Sequence, residues 1–504
     1  MSLPQTPTEQ LLTHLNISNH VVFRYYENVD LSAELAPGLK LTYPFIAAAM
    51  TSVVGKRMTL ECARNGIMAV VPSGLPMKEA AGIVSDVKRQ EVKRGDLELL
   101  DDPVWIGNQK TVADAVRLYE NAGHSVIPIC DDFRKLEALF LHQEGMPNDI
   151  LGYRLSDAIK MARGRRAGMS AVIKPFSMEK SRYGTDFCKE GDKAHRIKTM
   201  MEKEGRRVMP ILGRDGAMRG LAFVYKHSGY AVGAAIHTYK GMDRADALVE
   251  AGADMIVIDS SDGASDYQVR TIRDFKRRHP KTPICAGNIV ASKATMMGIS
   301  SSVREVDVFN ELADAGADVI KVGMGTGRIC VTTDNRGVGR DILRALDDVY
   351  NAREKWNGRY IPIIADGGIG TVDPDMDKRA RVKRNMRQDT RSINLTLTDA
   401  DFVMMGSYFN MFDEAEGGLK VEDGRRYKES WGEGSIRAQT LARYGVNEGV
   451  RRAHVEEGTV NLIPCIGGLK PGIERTALNV AITMVNVGAR NLREYRECVV
   501  LERY

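Results

Sequence analysis

Cysteine pairing, long apolar runs and charge imbalance are all missing from this chain. Its seven thiols, Cys62, Cys130, Cys188, Cys285, Cys330, Cys465 and Cys498, form no Cys-x-x-Cys pair and lack histidines at metal-ligand spacing. That argues against a zinc site and against a disulfide framework, and leads us to expect reduced thiols in a cytoplasmic enzyme. No apolar run approaches the roughly 18–20 residues that a membrane span requires. Met1 to Asn19 is polar, without the basic-then-apolar pattern of a signal peptide. A formal charge of +5 on 504 residues is too small to suggest a nucleic-acid partner, although it suits a pocket that receives anionic phosphates. Low-complexity sequence is scarce, and 43% hydrophobic with 27% charged residues is the composition of a globular protein.

What is present is repetition. Residues 248–258 read LVEAGADMIVI and 312–322 read LADAGADVIKV, each a helix end, a glycine turn and a short apolar strand. Further apolar strands are expected at 45–49, 67–71, 230–236, 283–286, 361–365 and 402–405, mostly separated by helix-length segments. Continuous apolar strands alternating with helices imply a parallel sheet buried on both faces. Polar or glycine-rich tips follow five of these strands: Asp259 to Gly263, Gly287-Asn288, Gly323 to Cys330, Asp366 to Gly368, and Gly406-Ser407. An open sheet would concentrate its ligand at one switch point, whereas a closed barrel gathers all such tips on one face. The expected fold is therefore α/β, a (β/α)8 TIM barrel.

A second repeat interrupts it. Residues 112–132 and 194–216 share a helix, a glycine and a Pro-Ile strand, with Gly123/Gly205, Pro128/Pro210 and Ile129/Ile211 in register. Two such units resemble a pair of CBS motifs, which bind adenine nucleotides in other proteins and serve as plain spacers in others. The expected domains are barrel over 1–99, a CBS-pair insert over 100–227, and barrel again over 228–504. The basic stretch at 373–396 is read as an exposed helix with a solvated charged face, with a phosphate-facing lid as the alternative.

The segment 323–340, GMGTGRICVTTDNRGVGR, carries the chemistry. Glycines 323, 325 and 327 permit turns that a Cβ forbids and expose peptide groups to a ligand or ion. A lone cysteine is more often an inert small hydrophobe, but one ending such a loop at a strand tip faces the barrel mouth.

Together with IDSSDG (258–263), AGN (286–288), IADGGIGT (364–371), MMGSYF (404–409) and YKESWGEGS (427–435), this loop resembles the inosine monophosphate dehydrogenase and GMP reductase family. The resemblance implies that the Cys330 thiolate adds to C2 of a purine monophosphate beside a nicotinamide cofactor. In the dehydrogenase, IMP loses hydride to NAD+ and the covalent thioimidate is hydrolysed to XMP, a step in guanine nucleotide synthesis. In the reductase, GMP loses ammonia and NADPH supplies hydride to give IMP. Dehydrogenases activate water with an Arg-Tyr pair on a flap after the WGEG-like motif, and here Arg443-Tyr444 follows Glu433. Arginine serves as a base only where its surroundings oppose its charge. The dehydrogenase is the favoured reading and the reductase its alternative. A catalytically silent regulator would have lost Cys330 or Thr332, and both are present.

By the same resemblance Thr332 hydrogen-bonds near the reacting carbon. Asp366, Gly367, Gly368, Gly406 and Ser407 match the ribose and phosphate cradle, and Arg328, Gly432 and Glu433 also fall on the substrate side. Asp259, Ser260, Ser261, Asn288, Gly323 and Gly325 match positions on the cofactor side. The carbonyls of Gly325, Gly327 and Cys330 would form half of a potassium site. A homotetramer, or two tetramers joined through the inserts, is implied.

The sequence departs from the family pattern in three places. Arg328 stands where Gly-Ser-Ile-Cys has its phosphate-binding serine, and Ser430 replaces a tyrosine, with Tyr427 close by. The chain ends at Tyr504 without the Glu-Gly-Gly tail that completes a neighbour's potassium site, which argues against cation dependence. Segments 47–58 and 70–76 resemble CBS-containing reductases.

Overall fold

The computed structural model describes residues 15–17, 29–90, 97–101, 103–122, 126–141, 150–164, 169–176, 187–203, 208–224, 230–239, 241–260, 262–297, 303–324, 339–371, 388–422, 425–433 and 460–503. The chain divides into two compact units, one formed by 1–91 with 230–504 and the other by 92–229.

In the first unit eight parallel strands close into a barrel in chain order: β1 (Phe45–Ala47), β2 (Met68–Val71), β3 (Val232–His237), β4 (Met255–Asp259), β5 (Ile284–Ile289), β6 (Val319–Val322), β7 (Ile363–Asp366) and β8 (Phe402–Met405). Closure is made by β8 on β1, with Met404 opposite Ile46. Helices α1 (Lys56–Arg64), α2 (Met77–Arg89), α3 (Met242–Glu250), α4 (Asp266–Arg278), α5 (Val308–Ala315), α6 (Ile342–Lys355), α7 (Thr390–Thr396) and α8 (Leu469–Val487) follow the strands in turn. The TIM barrel expected from the alternating pattern is the fold observed. Strand β5 runs further than expected, through Gly287 and Asn288, and β3 begins at Val232 rather than Tyr230.

Local chemistry explains the boundaries. Ser265, Asp307 and Asp341 cap α4, α5 and α6 by accepting amide hydrogens from the first turn. The AGAD repeat has a structural meaning in both copies. Gly252 and Gly316 take positive φ, +100° and +107°, and each is covered by the stem of a lysine, Lys88 or Lys276. The following Asp254 and Asp318 then accept the first amide of the preceding strand, from Val232 and Ile284, each at 2.8 Å. Asp401 does the same for Ile363, also at 2.8 Å. Each aspartate is also paired with a cation from α2, α4 or α6: Lys88, Lys276 and Arg353. One device thus repeats beneath β4, β6 and β8.

Side chains alternate along a strand, so every second residue enters the barrel. Ile46, Met68, Val70, Val257, Cys285, Val319, Ile364 and Met404 pack there with Leu35 and Leu41 from the hairpin Ala33–Ala36/Leu39–Leu41. Two residues beyond the inward Val257, Cys285, Val319, Ile364 and Met404 stand Asp259, Gly287, Lys321, Asp366 and Gly406. The apolar layers therefore give way to a polar layer at the C-terminal face. A three-stranded antiparallel sheet, Leu419–Glu422, Arg425–Trp431 and Val460–Pro464, follows β8.

The exposed charged helix expected at 373–396 is corrected in its described part. Helix α7 is buried, with Ser392, Leu395 and Thr396 almost fully covered. Two of its polar side chains find partners inside the fold: Ser392 Oγ accepts from Gly370 N at 2.8 Å and Thr396 Oγ1 donates to Ser392 O at 2.9 Å. Polarity there did not mean solvent. Residues 373–387 lie outside the described residues.

The second unit holds two four-stranded sheets built alike. In one, Val126–Cys130 pairs parallel with Ile106–Gly107 and antiparallel with Leu136–Leu141; in the other, Val208–Leu212 pairs parallel with Cys188–Lys189 and antiparallel with Met218–Val224. Pro128 and Pro210 occupy equivalent places, opposite Leu139 and Leu221. Among the described residues, no helix is long and apolar enough to cross a membrane.

Candidate active site

The five tips singled out from sequence all lie at the C-terminal ends of neighbouring strands, β4 to β8. The tips of β4 and β5 interlock: Gly263 N donates to Asn288 O at 2.6 Å and Asn288 N to Ser260 O at 3.1 Å. Gln268, from α4, holds Gly287 by two bonds, donating to its carbonyl at 2.9 Å and accepting from its amide at 2.7 Å. Asp259 accepts from Ser73 Oγ at the tip of β2. Arg244, from α3, donates to the carbonyls of Pro72, Leu75 and Ala235 at 2.7, 2.7 and 2.9 Å and so ties β2 to β3. Burial pulls the Arg244 guanidinium below its ordinary range, and the nearby Asp259 charge partly restores it.

At the centre stands Lys321, only 5% exposed. Its Nζ donates to Asp366 Oδ2 at 2.6 Å and to Asn288 Oδ1. Asn288 Nδ2 in turn donates to Asp366 Oδ2 at 3.0 Å and to Gly323 O at 2.7 Å. Burial acts to lower the lysine, but the Asp366 charge and hydrogen bond outweigh it, so the ammonium is held above its ordinary range. Gly323 is required here, because at φ +137° a Cβ would overlap Asp366 O.

The remaining substrate-side positions gather at the same face. Gly367 and Gly368 both take positive φ, +92° and +73°. Gly406 opens the short helix Ser407–Asn410, and a Cβ on it would overlap Met50 Sδ. Glu433 Oε1 accepts from Thr51 N at 2.5 Å and Thr51 Oγ1 at 2.8 Å, and Trp431 Nε1 donates to the same Thr51 hydroxyl at 2.9 Å. Gly432 lies between them. Arg328, Cys330, Thr332, Arg443, Tyr444, Ser261, Gly325 and Gly327 lie outside the described residues.

Sequence reasoning missed three features. Lys321 was legible as the one charged residue in an otherwise apolar strand, at an inward position. The Thr51–Trp431 pairing joins residues 380 apart, so no local pattern announces it. Tyr239 and Tyr267 follow β3 and β4 and meet edge to face at 5.8 Å, although they are 64% and 46% exposed. Two exposed aromatics that meet after β3 and β4 form a surface that an isolated tyrosine in the sequence does not suggest.

The family profile described as IMP dehydrogenase / GMP reductase domain matches residues 17–504. The chain belongs to this family. Inosine-5'-monophosphate dehydrogenase from Tritrichomonas foetus is 30% identical over 489 residues, covering 92% of this chain and 86% of that protein. The corresponding enzyme of Aquifex aeolicus is 28% identical over 488 residues, covering 93% and 87%. Among solved structures, a cysteine-to-alanine variant of GMP reductase from Trypanosoma brucei in complex with guanosine 5'-monophosphate has a TM-score of 0.62 at 23% identity, covering 100% of this chain and 96% of that one. That likeness shows the fold. As a member of the IMP dehydrogenase / GMP reductase family the chain is an oxidoreductase by class, and the family works on purine monophosphates with nicotinamide cofactors.

Proposed function

We propose that this chain oxidises IMP to XMP with NAD+. The observation that carries the reading is the attachment of Glu433 and Trp431 to Thr51, just beyond β1, which brings Trp431 through Glu433 to the C-terminal end of that strand. Arg443-Tyr444 follows that segment by ten and eleven residues, the pattern of dehydrogenases that activate water.

The Cys330 thiolate adds to C2 of the hypoxanthine, and hydride leaves C2 to give a thioimidate on Cys330. Water, deprotonated with the help of Arg443 and Tyr444, then attacks C2; the C2–S bond breaks, XMP leaves and the thiolate returns. Thr332 donates near C2. Asp366 receives ribose hydroxyls, while amides at Gly367, Gly368, Gly406 and Ser407, with Arg328, take the phosphate. Glu433 contacts the base. When bound, the dinucleotide supplies a hydride acceptor. Tyr239 and Tyr267 fit it, since their exposed rings, following the strands β3 and β4, offer a surface on which a planar base can stack. Ser261, Asn288, Gly323 and Gly325 complete that side.

The same cysteine could run the reductase reaction, with GMP and NADPH giving IMP and ammonia. Absorbance of reduced nicotinamide decides between them. A rise with IMP and NAD+, lost in Cys330→Ala and with XMP release blocked in Arg443→Ala, supports the dehydrogenase. A fall with GMP and NADPH, ammonia release and no response to IMP would sink it. Running the assay with and without potassium tests the half-site of Gly325, Gly327 and Cys330.

The insert is proposed as a CBS pair that receives an adenine or guanine nucleotide. A cavity of about 380 Å³ lined by Arg134, Lys189, Arg219 and Ile211, with Glu190 and Asp192 on the same wall, supports it, being large enough for part of a nucleotide and carrying cations that could meet its phosphates. Calorimetric titration with ATP and GTP is the test. The family further implies a cytoplasmic homotetramer or octamer, which sedimentation with and without those nucleotides would distinguish.

A further inference from the structure

We propose that Lys321 is a positioning residue that fixes the Asp366 carboxylate for the ribose of the substrate. This rests on the reading of Asp366 as the acceptor of ribose hydroxyls.

A lysine in the strand Val-Ile-Lys-Val, surrounded by barrel strands, is costly unless its charge and donors are matched. Here they are matched by the tips of two other strands. Asp366 Oδ2 takes one Nζ–H and Asn288 Oδ1 another. The same carboxylate oxygen also accepts from Asn288 Nδ2 at 3.0 Å. These bonds settle the orientation of the Asn288 amide, oxygen towards Lys321 and nitrogen towards Asp366 and Gly323 O. The carboxylate is therefore gripped by one oxygen from two directions, which leaves it little freedom to rotate about its last bond.

The backbone reinforces the grip. A Cβ at Gly287 would overlap Lys321 O, and one at Gly323 would overlap Asp366 O, so the tips of β5, β6 and β7 are packed backbone against backbone. A ring of tips this close cannot shift to compensate for a lost side chain.

Charge supplies the second half of the argument. Ribose hydroxyls are donors, and a carboxyl group accepts two of them well only when ionised. The Lys321 ammonium lies directly against that carboxylate, 2.6 Å from Oδ2. Asp259 and the Cys285 thiol also face Lys321, and neither can replace its positive charge. Without Lys321, Asp366 Oδ2 loses its ammonium donor and keeps the weaker amide donor of Asn288. Lys321 thus acts on substrate through Asp366, without touching it.

The experiment is equilibrium binding of IMP, 2'-deoxy-IMP and 3'-deoxy-IMP to the full chain, with the GMP analogues alongside. Wild type, Lys321→Met, the milder Lys321→Gln and Asp366→Asn are compared, each checked for a cooperative melt. Wild type is expected to lose roughly tenfold in affinity when the contacted hydroxyl is removed. In either Lys321 variant IMP should bind roughly tenfold more weakly, and the deoxy penalty should shrink to under about threefold. Adding the Lys321 change to Asp366→Asn should cost nothing further. A folded Lys321 variant that keeps the full deoxy penalty overturns the proposal alone. Wild type that binds neither nucleotide overturns the reading of the site, and this proposal with it.

Discussion

Thr51 and Glu433 are joined by two hydrogen bonds to one carboxylate oxygen, from the Thr51 amide at 2.5 Å and its hydroxyl at 2.8 Å. The hydroxyl also accepts from Trp431 Nε1 at 2.9 Å, so one threonine fastens the end of the first strand to the segment leading to Arg443.

Thr51→Val keeps the shape and the amide bond but removes the hydroxyl, leaving an indole N–H and a carboxylate short of a partner each. A loss of about 1–2 kcal/mol in transition-state stabilisation follows, or roughly five- to thirty-fold in kcat/KM for IMP. Thr51→Ser should retain most of the activity. Steady-state kinetics of the pair check this; full activity in Thr51→Val with a loss in Thr51→Ser would mean that the methyl group matters rather than the hydroxyl.

Gly323 is fixed by two constraints at once, a φ of +137° and contact with the Asp366 carbonyl. Gly323→Ala is expected to cost at least about 2 kcal/mol and to abolish IMP binding, since strain and overlap both fall on the tip that carries the cysteine segment. Thermal melts with and without IMP measure it. Retention of a ligand-dependent rise in midpoint would count against it.

Tyr267→Ala removes one ring of the exposed pair. Stacking of a base on an aromatic ring contributes about 1–3 kcal/mol, so KM for NAD+ should rise roughly tenfold or more while KM for IMP stays within about twofold. Tyr267→Phe should restore it. Parallel changes in both KM values would place Tyr267 in general packing.

How much of this was readable in advance depended on whether the signal was local. The apolar strands and the AGAD repeats gave the barrel, because burial on both faces leaves its mark on every residue of a short strand. Asp259, Asn288 and Asp366 were legible as polar residues directly following such strands. Lys321 was passed over because a single charge inside VIKV looks like noise until inward parity is known. Thr51 and Trp431 meet only through closure of β8 on β1, and no sequence window contains both. Helix α7 was misjudged from its polar composition, since Ser392 and Thr396 find their partners inside the fold.

Glu414 gives a pH dependence with a definite sign. Burial, with the charges of Glu61 and Asp413, pushes its carboxyl up from 4.5 to about 7, although its Oε2 accepts from Leu469 N at the start of α8. A raised acid binds more protons folded than unfolded between those two values. Its contribution is thus most favourable below about 4.5 and is lost as pH rises through about 7. The full swing is at most about 3 kcal/mol by linkage. Glu414→Gln should therefore stabilise the protein at pH well above that of the buried acid and have little effect in mild acid. Melting midpoints of both proteins across the range test this, and a variant that gains equally at every pH would refute it.

The repeated aspartate device predicts a rank order. All three copies make the same strand amide bond, but their side chains differ in burial: 21% and 27% exposed for Lys88–Asp254, 23% and 7% for Lys276–Asp318, and 3% and 5% for Arg353–Asp401. Removing one partner of a buried pair strands the other charge, costing about 3–5 kcal/mol, whereas a half-exposed pair is relieved by water and costs about 1 kcal/mol or less. Asp401 is also bound by Tyr360 OH at 2.6 Å and Arg496 at 2.9 Å, and Arg353 lies between the rings of Tyr350 and Tyr360. Asp401→Asn should therefore destabilise most, Asp318→Asn next and Asp254→Asn least. These residues lie at the starts of the strands, the face of the barrel opposite the polar layer, where such networks serve stability. Turnover per folded molecule should stay at the wild-type value in all three. Melting midpoints taken at one heating rate, together with kcat on the soluble fraction, test both halves. Equal midpoints would show that burial does not set the value of the device, and a selective loss of kcat in Asp401→Asn would show that the far face of the barrel reaches the chemistry.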